Sequence, residues 1–366
     1  MKKEYNIQRE MISPPGDTLQ EILAAYPMSQ AELAERIGRP KERVNDIIKG
    51  REPITTKTAF QLEKVLGMPA SFWIMREQEY RRKLYEIEQK EQLENAVDWL
   101  NKFPVKQLKE VGVLSNTSKR HAQVEDLLRF FGIATPMQWS KLYLNPSDSV
   151  SFRLSLANTK SPYAISAWLR MGEKEAEKLK LEEYDKSAFK ACIYELREVA
   201  YLQPKDFTKI VKHRCASVGV AVVFTPNLSK APISGATRWI YNRPLIQLSG
   251  RYKTADHFWF TLFHEAAHIL LHSKRDVFLE ELEGAPSDKQ KELEANQYAE
   301  ELLLSGELYK RIKDEDPYTD AKILTLSKTF RIHPGSLVGY LQHHNYLSYS
   351  SGNQYKVRIN LFEKEQ

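Results

Sequence analysis

With 366 residues, 42% hydrophobic, 28% charged and 11% aromatic, the chain is too long for one ordinary core and too apolar to be disordered. No apolar stretch approaches the ~20 residues that cross a bilayer, and the charged start Met1-Lys2-Lys3-Glu4 lacks a signal peptide's apolar core. Both facts point to the cytoplasm and away from a membrane. Two cysteines, Cys192 and Cys215, exclude a disulfide framework and a thiolate zinc cage. The net charge of +6 is too small as an average to name a partner.

Residues 1–80 read as an all-α domain. Asp17 is placed to cap a helix carrying Leu19, Ile22 and Leu23. Ser29, with Glu32 three residues on, has the form of a capping box for a helix burying Leu33, Ala34 and Ile37. Gly38-Arg39-Pro40 breaks that helix. Lys41 to Lys49 follows with Val44, Ile47 and Ile48 inward, and Gly50 ends it. Thr55 or Thr56 opens a further helix, expected to bury Ala59, Phe60, Leu62 and Leu66.

Arg36, Arg39, Lys41, Arg43, Lys49 and Arg51 make a basic strip, opposed only by Glu42 and Asp46. A solvated helix face is the plain reading of such a strip. Two short helices around a Gly-containing turn, the second one basic, also fit helix-turn-helix geometry. In that geometry Gln30 bonds a phosphate, Lys41, Glu42, Arg43, Asn45 and Asp46 face the major groove, and Lys49 and Arg51 sit near the backbone.

Residues 81–203 read as a helical connecting domain without evident chemistry, in which Arg170 to Leu181 looks like an exposed charged helix. After Pro204 the pattern changes. Val220 to Phe224, Ala236 to Tyr241 and Leu245 to Leu248 read as strands of a small, mainly antiparallel sheet, with a turn at Asn242-Arg243-Pro244. Ala236 to Tyr241 is the candidate edge strand for an extended substrate. From Asp276 to Glu301 nine acidic residues face only Lys289 and Lys291.

The sharpest chemical signal is His264-Glu265-Ala266-Ala267-His268 in an apolar helix from about Ala255 to His272. Residues four apart share a helix face, so both imidazoles converge, and the intervening Glu265 can act as general base. A surface helix with two histidines is the common alternative. A third ligand is sought on a helix beginning near Ser287-Asp288. Glu292, Asn296 and Ala299 share one face of it, so Glu292 is the candidate ligand and Asn296 a candidate to orient a histidine. Glu294 points about 160° away from Glu292, and Glu301 is weaker still. His257 and His272 lie roughly 10 and 12 Å along the axis from His264, too far to share its ion, and read as structural. His333, His343 and Tyr298 remain candidate electrophiles, each against a packing role.

Two resemblances sharpen this reading. Ser29-Gln30-Ala31-Glu32-Leu33-Ala34 through Ile47-Ile48-Lys49-Gly50, then Ala59 to Gly67 and Ser71-Phe72-Trp73, resembles the HigA-type antitoxin branch of the Cro/C1 repressor family. That resemblance implies a homodimer on a palindromic double-stranded DNA operator, and a toxin partner. Phe260 to His272, then Glu292 to Leu303 and Ile332 to Leu347, is similar to the ImmA/IrrE metallopeptidases. It implies an α+β zincin-like domain over residues 204–347, followed by a tail over 348–366. It also implies Zn²⁺ on His264, His268 and Glu292, Glu265 as base, and a repressor-type protein as substrate. Two functions follow: a DNA-binding regulator that cuts a repressor or antitoxin-type protein, or an antitoxin-like autorepressor whose zincin domain only senses or binds a partner.

Overall fold

The structure, a computed structural model, describes residues 2–145, 156–274, 277–279, 288–315 and 317–362. Its helices are α1 (Lys2–Glu10), α2 (Pro15–Ala25), α3 (Gln30–Ile37), α4 (Lys41–Ile48), α5 (Thr56–Leu66), α6 (Ala70–Asn95), α7 (Val97–Leu100), α8 (Val105–Glu110) and α9 (Arg120–Phe131). They continue with α10 (Pro136–Tyr143), α11 (Pro162–Ala176), α12 (Lys186–Leu202), α13 (Phe207–Ala216), α14 (Ala255–Leu271), α15 (Lys289–Leu304), α16 (Gly306–Arg311), α17 (Asp320–Phe330) and α18 (Pro334–His343). The strands are β1 (Ala221–Phe224), β2 (Gly235–Ile240), β3 (Arg243–Leu248) and β4 (Phe278–Leu279). The chain forms two compact units, residues 1–98 with 117–125, and residues 99–116 with 126–366. Residues 81–203 are therefore divided between the units, and position 80 lies inside α6.

The first unit is all-α around Leu19, Leu33, Val44, Ile47, Leu62 and Trp73. Ser29 caps α3 by accepting the Glu32 N–H at 3.1 Å, and Gly38 ends it in the left-handed region at φ 66°. The capping box is not closed, because the Glu32 carboxylate accepts from Arg36 at 2.6 Å instead. Asp17 does not cap α2. The helix begins at Pro15, and Asp17 sits in its first turn, accepting the Ser13 hydroxyl at 3.0 Å. Phe60, expected inward, is 53% exposed, since Ala59, Leu62 and Leu66 take the inner face of α5.

The second unit is built on a mixed sheet of order β1-β3-β2-β4. β1 runs parallel to β3 with Val222 opposite Ile246, and β2 pairs antiparallel with both β3 and β4. The β2–β3 turn is Tyr241–Asn242, both at positive φ (49° and 63°), a two-residue hairpin whose twist matches its strands. Arg243 and Pro244 thus lie inside β3 and not in the turn. β2 is no edge strand: β4 pairs with it at Ala236 and Thr237, which overturns the expected site for an added strand.

Both sheet faces are covered. Val222, Trp239, Ile246 and Leu248 join Phe258, Trp259, Leu262 and Phe263 of α14 in the main core. On the other face lies α11, whose Ile165, Trp168, Leu169 and Met171 are buried. The charged helix expected from Arg170 to Leu181 is thus the end of α11: it stops at Ala176 and buries Met171 and Gly172, while Glu175, Glu177, Lys178 and Lys180 are exposed. From the sheet, fully buried Arg238 donates to the Leu169 carbonyl at 2.7 Å and approaches Glu173 at 3.8 Å, and Gln247 donates to the Trp168 carbonyl at 2.7 Å. Residues 348–362 of the expected tail are docked. Val357 accepts the Ala255 N–H at 2.9 Å, Lys356 pairs with Asp256 at 3.1 Å, and Ile359 and Leu361 pack on the main core. The two cysteines, Cys192 on α12 and Cys215 on α13, are buried free thiols in the main core.

One close approach in the first unit is testable. A Cβ on Gly16 of α2 would lie 2.0 Å from the Ile48 carbonyl oxygen, so α2 reaches α4 only because residue 16 has no side chain. Gly16→Ala is expected to destabilise the unit by about 1–3 kcal/mol, read from denaturant unfolding. A midpoint equal to wild type would refute that packing.

Candidate metal centre and nucleic-acid interface

Helix α14 is buried almost along its length, and His264 and His268 are 2% and 1% exposed. The i, i+4 spacing puts both rings on one side, with His264 Nε2 and His268 Nε2 3.0 Å apart. Helix α15 supplies the third group. Asp288 caps it by accepting the Gln290 N–H at 3.1 Å; Ser287, named with it above, lies outside the described residues. From the first turn Glu292 places Oε2 3.2 Å from His264 Nε2 and 3.7 Å from His268 Nε2.

These separations match a tetrahedral ion. Ligand bonds of about 2.0–2.1 Å give ligand-to-ligand edges of roughly 3.3 Å. The protonation states match as well. Burial pushes His268 down to about 4 against the pull of Glu292, which leaves it neutral at pH 7. Burial raises the Glu292 carboxyl, but hydrogen bonds from His264 and His268 outweigh it and hold the group at about 2. A neutral imidazole at His268 beside the Glu292 carboxylate is the kind of donor set that a borderline cation such as zinc requires.

Glu265, the next residue along α14, is fully buried and turns toward β2. A Cβ on Gly235 would lie 2.4 Å from its Oε1, and Thr237 donates to its backbone carbonyl at 3.0 Å. Gly235 was not apparent from the sequence, where the strand was expected to begin at Ala236.

The surroundings of His268 also differ from expectation. Asn296 does not orient it. His268 Nδ1 lies 2.9 Å from His272 Nδ1, and His272 Nε2 lies 3.3 Å from Glu294 Oε2. His272, expected to be structural, lies outside the group formed by His264, His268 and Glu292 and abuts the His268 ring. Glu294, which faces away from Glu292 on α15, completes this chain. Phe278 of β4 lies flat on the His268 ring, centroids 3.7 Å apart at 13°. Of the other histidines, His257 stacks on Tyr252 and His333 accepts the Gly335 N–H at 3.1 Å as the cap of α18. Tyr298 packs against the main core, where burial pushes its hydroxyl up to about 12. Glu301 accepts from Gln297 at 2.8 Å.

In the first unit, α3 and α4 meet through the left-handed Gly38 turn, and α4 buries Val44, Ile47 and Ile48. Lys41, Glu42 and Arg43 are exposed at its start, and Gln30, Asn45 and Asp46 are half-buried. Half of the basic strip is paired from within: Arg43 with Glu52 at 2.9 Å, Arg51 with Asp46 at 3.5 Å and Arg36 with Glu32 at 2.6 Å. Lys41 and Lys49 make no ion pair among the described residues. Behind the strip, Arg81 donates to the Gly50 carbonyl at 3.1 Å, and Glu77 accepts the Ile54 N–H at 3.0 Å, fixing the chain after α4.

Residues 19–73 match the family described as helix-turn-helix, and residues 215–338 match the peptidase M78 family, described as the IrrE N-terminal-like domain. A solved structure of an addiction module antidote protein of the HigA family from Coxiella burnetii is 30% identical over 22% of this chain and 89% of its own, with a TM-score of 0.21. No curated protein matches the chain.

The His268–His272–Glu294 chain has a measurable consequence. His272→Ala or Glu294→Gln is expected to weaken zinc binding about 10–100-fold, the usual cost of losing a ligand's own support. Competition with a chromophoric chelator reads it, and unchanged affinity in both variants would remove the chain from the centre.

Proposed function

Because the chain joins a helix-turn-helix DNA-binding domain to an IrrE N-terminal-like peptidase domain, we propose that it is a cytoplasmic transcriptional regulator with a zinc-dependent endopeptidase centre. The observation that carries this reading is the meeting of His264, His268 and Glu292 at tetrahedral spacing beside fully buried Glu265. His264, His268 and Glu292 would hold the ion. When bound, zinc supplies Lewis acidity toward a carbonyl oxygen and toward water.

The remaining chemistry belongs to the chain. The Glu265 carboxylate takes the proton of the attacking water and delivers it to the departing amine. Gly235 leaves room for that carboxylate, and the Thr237 hydroxyl fixes its backbone. Phe278 keeps water from one face of His268. The substrate we propose is a repressor or antitoxin-type protein. It enters by some route other than pairing along Ala236 and Thr237, where β4 already sits.

In the first unit, Arg43 and Asn45 read base edges of a double-stranded operator. Gln30, Lys41, Lys49 and Arg51 bind phosphates, and Glu42 selects against wrong bases. The protein acts as a homodimer on a two-fold operator. A toxin partner belongs to the second reading, in which the peptidase domain only binds or senses; its support is the full burial of Glu265, which keeps the base from water until the site opens.

Glu265→Gln should keep zinc and abolish proteolysis, measured by comparing protein fragments in cells carrying wild type and variant. If the two produce the same fragments and the same reporter output, the peptidase reading fails and the binding reading stands. At the other end, Arg43→Ala with Asn45→Ala should abolish an operator gel shift while zinc content stays the same. A retained shift would refute the placing of α4 in the major groove.

A further inference from the structure

Away from the buried centre, the described residues hold a second convergence of imidazoles with a carboxylate. Glu300 lies on α15, His343 closes α18 and His344 follows it, and one ligand atom from each lies within 4.8 Å of the others. Glu300 is 8% exposed, whereas both histidines face solvent. His344 Nε2 and Glu300 Oε1 are 2.8 Å apart.

Three features suit this corner to a cation. The backbone under the histidines is fixed: the His344 N–H reaches the Tyr340 carbonyl at 3.0 Å, the Tyr346 N–H reaches the Leu341 carbonyl at 2.8 Å, and Asn345 takes φ 61° between them. Buried Gln342 ties the same turn to the Ser351 carbonyl at 2.7 Å. The His344 ring packs against Tyr340, centroids 4.3 Å apart, which limits its rotation. The site also stands at the C-terminal end of α18, where aligned peptide dipoles favour positive charge.

We propose that Glu300, His343 and His344 form a second, solvent-facing site for a first-row transition-metal dication. Two imidazoles and one carboxylate favour zinc, cobalt, nickel or copper over magnesium or calcium, which prefer all-oxygen ligands. The ion ties α15 to α18, and exposure leaves its remaining positions to water or an outside ligand. Glu300 follows Glu292 by eight residues, about 12 Å along the helix axis, so the two sites hold separate ions on one helix. The inference does not depend on the buried centre being catalytic.

The test titrates the metal-free full-length protein with zinc against a chromophoric chelator. Wild type should bind two ions. His343→Ala with His344→Ala should bind one, as should His264→Ala with His268→Ala, and the four-fold variant none. In the His264→Ala, His268→Ala background, zinc should raise the melting temperature, and that rise should vanish once His343 and His344 are also replaced. The proposal is overturned if replacing His343 and His344 leaves the stoichiometry of wild type unchanged. It is equally overturned if the folded His264→Ala, His268→Ala variant binds no zinc. Should that variant fail to fold, Glu300→Gln in the otherwise intact chain decides: two tight ions in both proteins would sink the outer site. A wild type that binds one ion, lost only with His343 and His344, would support the outer site and remove the buried one.

Discussion

The second unit is organised around a helix that has no solvent face on which to leave its polar groups. α14 carries His264, Glu265 and His268 within five residues, and all three are buried. Each must find a partner inside, because an uncompensated polar group costs on the order of 1–3 kcal/mol or more. For the two imidazoles the surrounding elements meet that demand, α15 with Glu292 and the end of α14 with His272, while β2 brings Gly235 against the Glu265 carboxylate and Thr237 to its backbone carbonyl. With imidazole nitrogens 3.0 Å apart, at most one proton fits between them. A cation beside both rings would accept both lone pairs at once.

The same demand explains the sheet. β2 has Gly235 and Thr237 on the α14 side and Arg238 on the other, where the guanidinium meets Leu169, Gln247 and Glu173. A strand with a carboxylate pressed on one face and a buried guanidinium on the other tolerates little movement. It is therefore suited to hold Glu265 in place and poorly suited to pair with a passing peptide. Among the described residues, the sheet's outer strands are β1 and the two-residue β4.

Much of the centre was legible because it is local. The four-residue spacing of His264 and His268, and the placing of Glu292 by helix phase against Glu294, need only 3.6 residues per turn. What was missed depends on distant chain. Axial distance sets His272 apart from the group of His264, His268 and Glu292, but its link to Glu294 required knowing how α14 and α15 pack. Phe278 lies in a strand of two residues, too short to leave a period. The segment from Arg170 was misread in part: Glu175, Glu177 and Lys178 do face solvent, yet Arg170 and Glu173 pair with each other at 2.7 Å and are mostly covered. Charge marks exposure only when its partner is water. Phe60 shows the converse, an aromatic residue left outside because the inner stripe of α5 is already full.

In the first unit, too, composition and chemistry diverge. Six cations along one short stretch look like a phosphate footprint, but Glu32, Glu52 and Asp46 each hold one of them. Exposed pairs of this kind contribute little to stability, typically below 1 kcal/mol. Their effect is on readiness. On the proposed operator reading, Arg43 would reach a base edge only by leaving Glu52, so a correct guanine would replace a bond that already exists. Lys41 and Lys49 carry no such tie among the described residues and would engage backbone phosphates. Such a division between lysines and a paired arginine is one that the net charge of +6 does not reveal.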